Sequence, residues 1–398
     1  MLMMIPNLSH AAVLDFVSQD TAGLKWMTGT YFNSGATVLQ NDNGTKEFYG
    51  KFGLVPMFEK GPYELALDLT LYFDHDGEFR TDNWDQVSDY IRKILFFRYN
   101  KPEDPFSFRL EMVDDLSFGN GVIMRHYANS IRYPLLDNKL GASFMWNSGY
   151  DDMGIIFVDD VADPHMFGAR GFIQPHDNFI VGATAITDTK IKTRFGEKDV
   201  TVMGLDVSIP FETKTDIACK VYGEYVNILD RGDGGHTGLS VDFGGLSIKT
   251  EYKRFSTDYI SNYFDHLYEM ERSFKAAFLY AQPEGGRASG WFNEIKLKLN
   301  EEFKVRVSYE KDYLAGRNPH LSFGVDFAET TFNKIRISFD YDRKNVYYSA
   351  QNRKDAIYQF KAAYDVNGYT HILYNYKYIL DESGNPANSI NLETRVRF

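Results

Sequence analysis

One cysteine, Cys219, stands in 398 residues, so no intramolecular disulfide and no cysteine-cluster metal site can form. Long apolar runs are missing as well. The longest, Ala276 to Ala281, is far below the roughly 18 to 20 residues that a membrane-spanning helix needs. That excludes a helical membrane protein and leaves open a barrel, whose tilted strands cross in about 9 to 11 residues with every second side chain facing lipid. Cations are in deficit, 43 Lys+Arg against 55 Asp+Glu for a net charge of −12, so no cation excess is available to displace counterions from a nucleic acid. The sequence has no P-loop, no H-E-x-x-H and no G-x-S-x-G, and its nine histidines are scattered singly. No catalytic residue, metal ligand set or cofactor is therefore expected.

What the chain does have is aromatic residues in number, 27 Tyr, 32 Phe and 4 Trp, spread among charges that make up 25% of the residues. The arrangement has period two. Trp291, Ile295, Leu297 and Leu299 share one face of a strand, while Phe292, Glu294, Lys296 and Lys298 share the other. After the polar turn 300–302 the pattern resumes with Phe303, Val305, Val307 and Tyr309 opposite Lys304, Arg306, Ser308 and Glu310. The same grammar runs through Leu321 to Phe327, Ile335 to Tyr341, Ala356 to Tyr364, Ile372 to Tyr378 and Ile390 to Phe398, and earlier through Phe48 to Phe58, Tyr63 to Phe73 and Phe106 to Met112. Aromatic residues such as Phe58, Tyr63, Phe106, Trp146, Trp291, Tyr364 and Phe398 fall near strand ends, where a membrane barrel carries its girdles.

Connections alternate between short turns, as at 59–62, 101–105, 175–178 and 366–368, and long polar segments, as at 74–90, 115–138, 256–288 and 380–388. The expectation is an all-β chain forming a single transmembrane antiparallel up-and-down barrel. It has an even strand number between 16 and 20, long external loops and short periplasmic turns. Residues 26–398 would form the barrel, and 1–25 an N-terminal segment or signal remnant, since Met1 to Ala12 is apolar but lacks Lys and Arg and is interrupted by Pro6 and Asn7. Between Ser256 and Tyr280 apolar residues recur at helical spacing, which predicts a short helix inside a long loop; Asp82 to Ile94 could open another.

The chain ends Asn391-Leu392-Glu393-Thr394-Arg395-Val396-Arg397-Phe398, an alternating strand closed by a terminal Phe. This resembles the β-signal of bacterial outer-membrane proteins. The resemblance implies a porin-like β-barrel located in a bacterial outer membrane. Phe398 would serve as the assembly signal read by the barrel assembly machinery, with outer-membrane lipid around the wall and a homo-oligomer compatible with it.

Charges between the lipid-facing stripes require water, because Arg or Lys exposed to lipid at mid-membrane costs about 2 to 4 kcal/mol. Lys296, Lys298, Lys304, Arg306, Lys334, Arg336, Arg395 and Arg397 are accordingly expected to line a pore. The segment Asp114 to Tyr133 is too apolar for a free loop and carries Gly119 and Gly121, which permit sharp turns. Either it folds into the barrel as a constriction, presenting Asp114, Asp115, Arg125, His126 and Arg132, or it extends a strand pair outward. His126 also lies near Ser117 and Ser130, and Asp74 to Glu78 resembles a fragment of a calcium loop without the terminal Glu. The leading expectation is passive diffusion of small hydrophilic solutes or ions. The competing ones are a non-conducting barrel acting as receptor, adhesin or structural partner, and a soluble all-β binding protein.

Overall fold

The computed structural model describes residues 29–40, 45–130, 139–147, 153–176, 178–213, 217–281, 286–299, 303–314, 319–328, 333–344, 356–380 and 386–398. The segment 1–25 and Arg132 lie outside them. The first strands are β1 (Tyr31–Gln40), β2 (Lys46–Val55), β3 (Met57–Lys60), β4 (Tyr63–Leu67), β5 (Leu69–Phe73), β6 (Ile94–Asn100), β7 (Phe106–Glu111), β8 (Met124–Arg125), β9 (Gly141–Asn147), β10 (Met153–Val158), β11 (Met166–His176) and β12 (Phe179–Thr193). They are followed by β13 (Gly196–Glu212), β14 (Ala218–Ile228), β15 (Asp233–Phe243), β16 (Leu246–Ser256), β17 (Phe264–Asp265), β18 (Arg287–Leu299), β19 (Phe303–Asp312), β20 (His320–Phe327), β21 (Ile335–Lys344), β22 (Ala356–Asp365), β23 (Thr370–Leu380) and β24 (Pro386–Arg397).

All but β8 and β17 belong to one 22-stranded sheet, antiparallel at every pairing. Two interruptions are single residues: Pro56, which has no N–H for the ladder, separates β2 from β3, and Asp68 separates β4 from β5. Counting each of those pairs as one continuous strand gives 20 positions, an even number as an all-antiparallel ring requires. The ring closes where β1 pairs with β2 on one edge (Tyr31 opposite Val55) and with β24 on the other (Tyr31 opposite Arg397). Among the described residues no edge strand of this sheet is left to template aggregation.

Both the first and the last strand meet at the short-turn end, where hairpins turn at 61–62, 101–105, 244–245 and 366–369. The opposite end carries the long connections 74–93, 112–140 and 257–286. The alternation decides which face is which. Along β13, Met203, Leu205, Val207, Ile209 and Phe211 are exposed, whereas Asp206, between two of them, is 2% exposed and Leu205 is 64%. Apolar residues therefore point away from the barrel and charges point in. At the short-turn end Tyr63, Phe106, Trp146, Phe211, Phe243, Tyr364 and Phe398 are exposed around the outside, an aromatic rim.

Two of the long connections fold inward. Residues 112–130, between β7 and β9, and 257–281, between β16 and β18, meet in a parallel bridge, Met124 and Arg125 of β8 beside Phe264 and Asp265 of β17. Their apolar side chains, including Leu116, Phe118, Ile123, Tyr259, Tyr263 and Tyr268, join Phe157, Met166, Ile186, Val202, Val226 and Phe255 of the wall in one buried cluster. The helix foreseen in this stretch is shorter than its periodicity suggests, Tyr268–Ala281. Asn262 takes a left-handed φ of 48° and the bridge at Phe264 fixes the chain as extended, so helix forms only beyond them. Glu269 and Glu271 in its first turn suit the positive end of the helix dipole. A second, five-residue helix spans Val87–Ile91.

Candidate functional site: a partly filled lumen

The wall is shaped for the inserted segments. A side chain on Gly204 would begin 2.8 Å from Cδ1 of Ile123, and one on Gly168 would begin 3.0 Å from the Phe118 ring, so these two glycines allow the first insert to lie against the sheet. Polar clamps then hold it. Arg125 donates two hydrogen bonds to Glu251 of β16, at 2.6 and 2.8 Å, and its guanidinium lies 3.7 Å from the centre of the Phe292 ring. Lys249 reaches the Asn120 carbonyl from the same strand and lies 2.9 Å from Glu251. Burial opposes the charge of Arg125, and the Glu251 carboxylate more than offsets it, so that guanidinium holds its proton more firmly than usual. The second insert is tied down by Tyr127, whose hydroxyl donates to Glu269 at 2.6 Å, and by Arg272, which donates to Asp188 at 2.6 and 2.7 Å.

His126 sits between carboxylates, Nδ1 2.7 Å from Asp115 and Nε2 3.1 Å from Glu294. Ser117 is engaged differently: its Oγ accepts the His126 main-chain N–H at 2.9 Å, so the imidazole is not arranged to activate a hydroxyl. Burial raises the proton affinity of Asp115, but His126, Arg306 and Lys296 outweigh it and hold the carboxyl below the usual carboxylate range. A depressed carboxyl contributes stability that is present above its ordinary value of 3.8 and is lost as pH falls through the folded value. Protection of the 112–130 amides against hydrogen exchange, corrected for intrinsic rate, is therefore expected to decline below about pH 4 relative to Asp115→Asn. An identical profile in both proteins would show that this carboxylate does not hold the insert.

Beside the inserts remains a cavity of about 1000 Å³. Of the residues read from the sequence as pore-lining, Lys296, Lys298, Lys304, Arg306, Arg336 and Arg395 face it, together with Asp114, Asp115, Arg125 and His126 of the first insert. Lys334 and Arg397 do not. Lys334 precedes β21, in a turn at φ 76°, and its Nζ lies 3.3 Å from the Val366 carbonyl; Arg397 ends β24 beside the Tyr369 ring. Phe398 is exposed at the rim, and its N–H donates to Thr30 at 3.0 Å. Asp74, His75 and Asp76 cluster on an exposed turn in which Asp74 accepts the N–H groups of Asp76 and Glu78, each at 2.9 Å. Lys51, Lys361 and Lys377 also face the cavity. Lys361 and Lys377 lie on the polar parity that the alternation of their strands gives from the sequence, and Lys51 follows from the same alternation in β2.

A closed antiparallel ring with an apolar, aromatic-rimmed outside and a charged inside is a porin-like transmembrane β-barrel of the outer-membrane type. No protein-family model and no curated relative matches the chain. Among solved structures it is similar to Wzi, an outer membrane protein involved in group 1 capsule assembly in Escherichia coli and described as a carbohydrate-binding β-barrel. That likeness has 13% identity and a TM-score of 0.39 and covers 98% of this chain and 88% of that one. It is also similar to a BenF-like porin from Pseudomonas fluorescens Pf-5, with 11% identity and a TM-score of 0.39, covering 92% and 96%. The outer membrane protein OpdK of Pseudomonas aeruginosa matches with 8% identity and a TM-score of 0.38, covering 92% and 97%.

Proposed function

We propose that the protein is a porin-like channel in a bacterial outer membrane, passing small hydrophilic solutes or ions through a lumen narrowed by its own two inserts. The observation that carries this is the cavity of about 1000 Å³, lined by charged side chains and surrounded by a ring whose outer face is apolar. A soluble protein would not turn Leu205, Phe243, Trp291 and Phe398 outward on a surface this continuous. Twelve Lys and Arg against eight Asp and Glu line the cavity, a cationic surplus inside an acidic chain. Anions are thereby favoured over cations at low salt. The inserts give the competing reading, a non-conducting barrel acting as receptor, its one specific support.

Planar-bilayer recording separates the two. Discrete conductance steps are expected for the channel. Replacing Lys296, Lys298, Lys304 and Arg306 together by Gln should then move the reversal potential toward cations. On β18 and β19 these face each other as Lys296 opposite Arg306 and Lys298 opposite Lys304, so like charges are paired across the ladder. The effect should shrink as salt rises, since the Debye length falls from about 10 Å at 0.1 M to about 3 Å at 1 M. Absence of steps would favour the receptor reading, and an unchanged reversal potential would remove this patch from the path.

A further inference from the structure

We propose that the barrel holds a binding chamber for the apolar end of a small carboxylate, set between the tip of the first insert and the β9–β12 wall. A cavity of about 90 Å³ lies there, beside the main lumen. Met145, Met153, Ile155 and Phe172 form its wall side and Phe118 its insert side. The ladder pairs Met145 with Ile155 and Met153 with Phe172, and β11 places Phe172 on the same face as Arg170, so all four point into the barrel. Apolar side chains on the inner face of a wall otherwise rich in charge need something apolar to cover them, and the insert covers them only in part: Met145, Met153 and Phe172 stay partly exposed. Two methionines also give the chamber a lining that adapts to shape.

The chamber's polar groups have separate duties. Arg170 donates to Asp206 at 2.6 and 3.0 Å and to Thr184 at 2.8 Å, so it is a closed floor. The opening is shared with the lumen through Ser117, Gly119, Asn120, Ile180 and Lys220. A ligand with a short hydrocarbon tail would bury that tail against Met153 and Phe172 and leave its carboxylate at the rim, where Lys220 is the nearest source of positive charge among the opening residues. The inference goes beyond the channel reading. It needs a lumen that small solutes can enter, and it does not need ion flux.

The test is equilibrium binding of hexanoate, acetate and hexanol to the full chain in lipid nanodiscs, with empty discs as control. Each buried methylene multiplies affinity by about four, so two or more in the chamber should make hexanoate bind about fifteen-fold or more tighter than acetate. Met153→Trp, which fills the space, should abolish that difference; if it prevents the barrel from folding, Met145→Phe is the milder filling. Lys220→Gln should weaken both acids and leave hexanol unchanged. Equal affinity for hexanoate and acetate, or a hexanoate affinity untouched by filling a correctly folded barrel, would overturn the chamber. Binding without bilayer conductance would remove the channel reading and leave the chamber standing; conductance without hexanoate binding would do the reverse.

Discussion

Replacing Arg125 by Gln is expected to release the first insert from the wall. The substitution removes two charge-assisted bonds to Glu251 and the stacking on Phe292, and it leaves Glu251, 1% exposed, to Lys249 and Tyr222, its remaining partners among the described residues. Breaking a buried ion pair from one side costs about 3 to 5 kcal/mol, and the remaining partners place this case at the lower end. About 3 kcal/mol is a factor of more than a hundred in the equilibrium between docked and undocked insert. Chymotrypsin added to the folded protein should then cut at Phe118 or Tyr127, both fully buried in the docked state, while the barrel remains resistant to SDS before heating. In a bilayer the mean conductance should rise. Unchanged resistance to the protease would mean that apolar packing alone holds the insert, with Ile123 over Gly204 and Phe118 over Gly168 as its anchors.

Leu205→Arg should reduce insertion more than any substitution on the lumen side. Leu205 is 64% exposed at the middle of β13, the longest strand, between Met203 and Val207, which point the same way. An arginine at the bilayer midplane costs about 2 to 4 kcal/mol, falling toward zero near the interfaces. Phe211→Arg, on the same outward face but at the rim end of the strand, supplies the control: the same charge at the interface should insert almost normally. Folding yield into lipid vesicles, read as the fraction that migrates as a compact species without heating, measures both. Equal yields would place this wall in water and end the membrane assignment.

Most of the ring was legible because its signals are local. Phe292 and Ile295 differ by three positions and Ile295 and Leu297 by two, and a period of two needs nothing further to assign the first pair to opposite faces and the second pair to the same one. The unequal connections were equally visible, since their lengths are read off the chain. Gly119 and Gly121 pointed to a segment able to bend, and both take left-handed φ values, 59° and 75°. The docking of that segment was not legible. Glu251 lies 126 residues beyond Arg125, Gly204 lies 81 beyond Ile123, and neither carries a local mark of its partner. The one hint was Glu251 itself, between Lys249 and Lys253 on the inward parity of β16, a run of inward charges facing a segment too apolar to remain in water. The parallel bridge of β8 with β17 joins two loops and follows no periodicity, so only the folded chain displays it.

The seam at β1 and β24 makes production of this protein an all-or-nothing event in time. Tyr31 finds its neighbour Arg397 only when the last residues of the chain have arrived, and until then both the first and the newest strand present an unpaired ladder. Closing a loop that long adds little entropy cost per residue, yet it cannot begin early. A chain halted near residue 385 would therefore be worse than a shortened barrel, an open sticky ribbon with two edges in place of none.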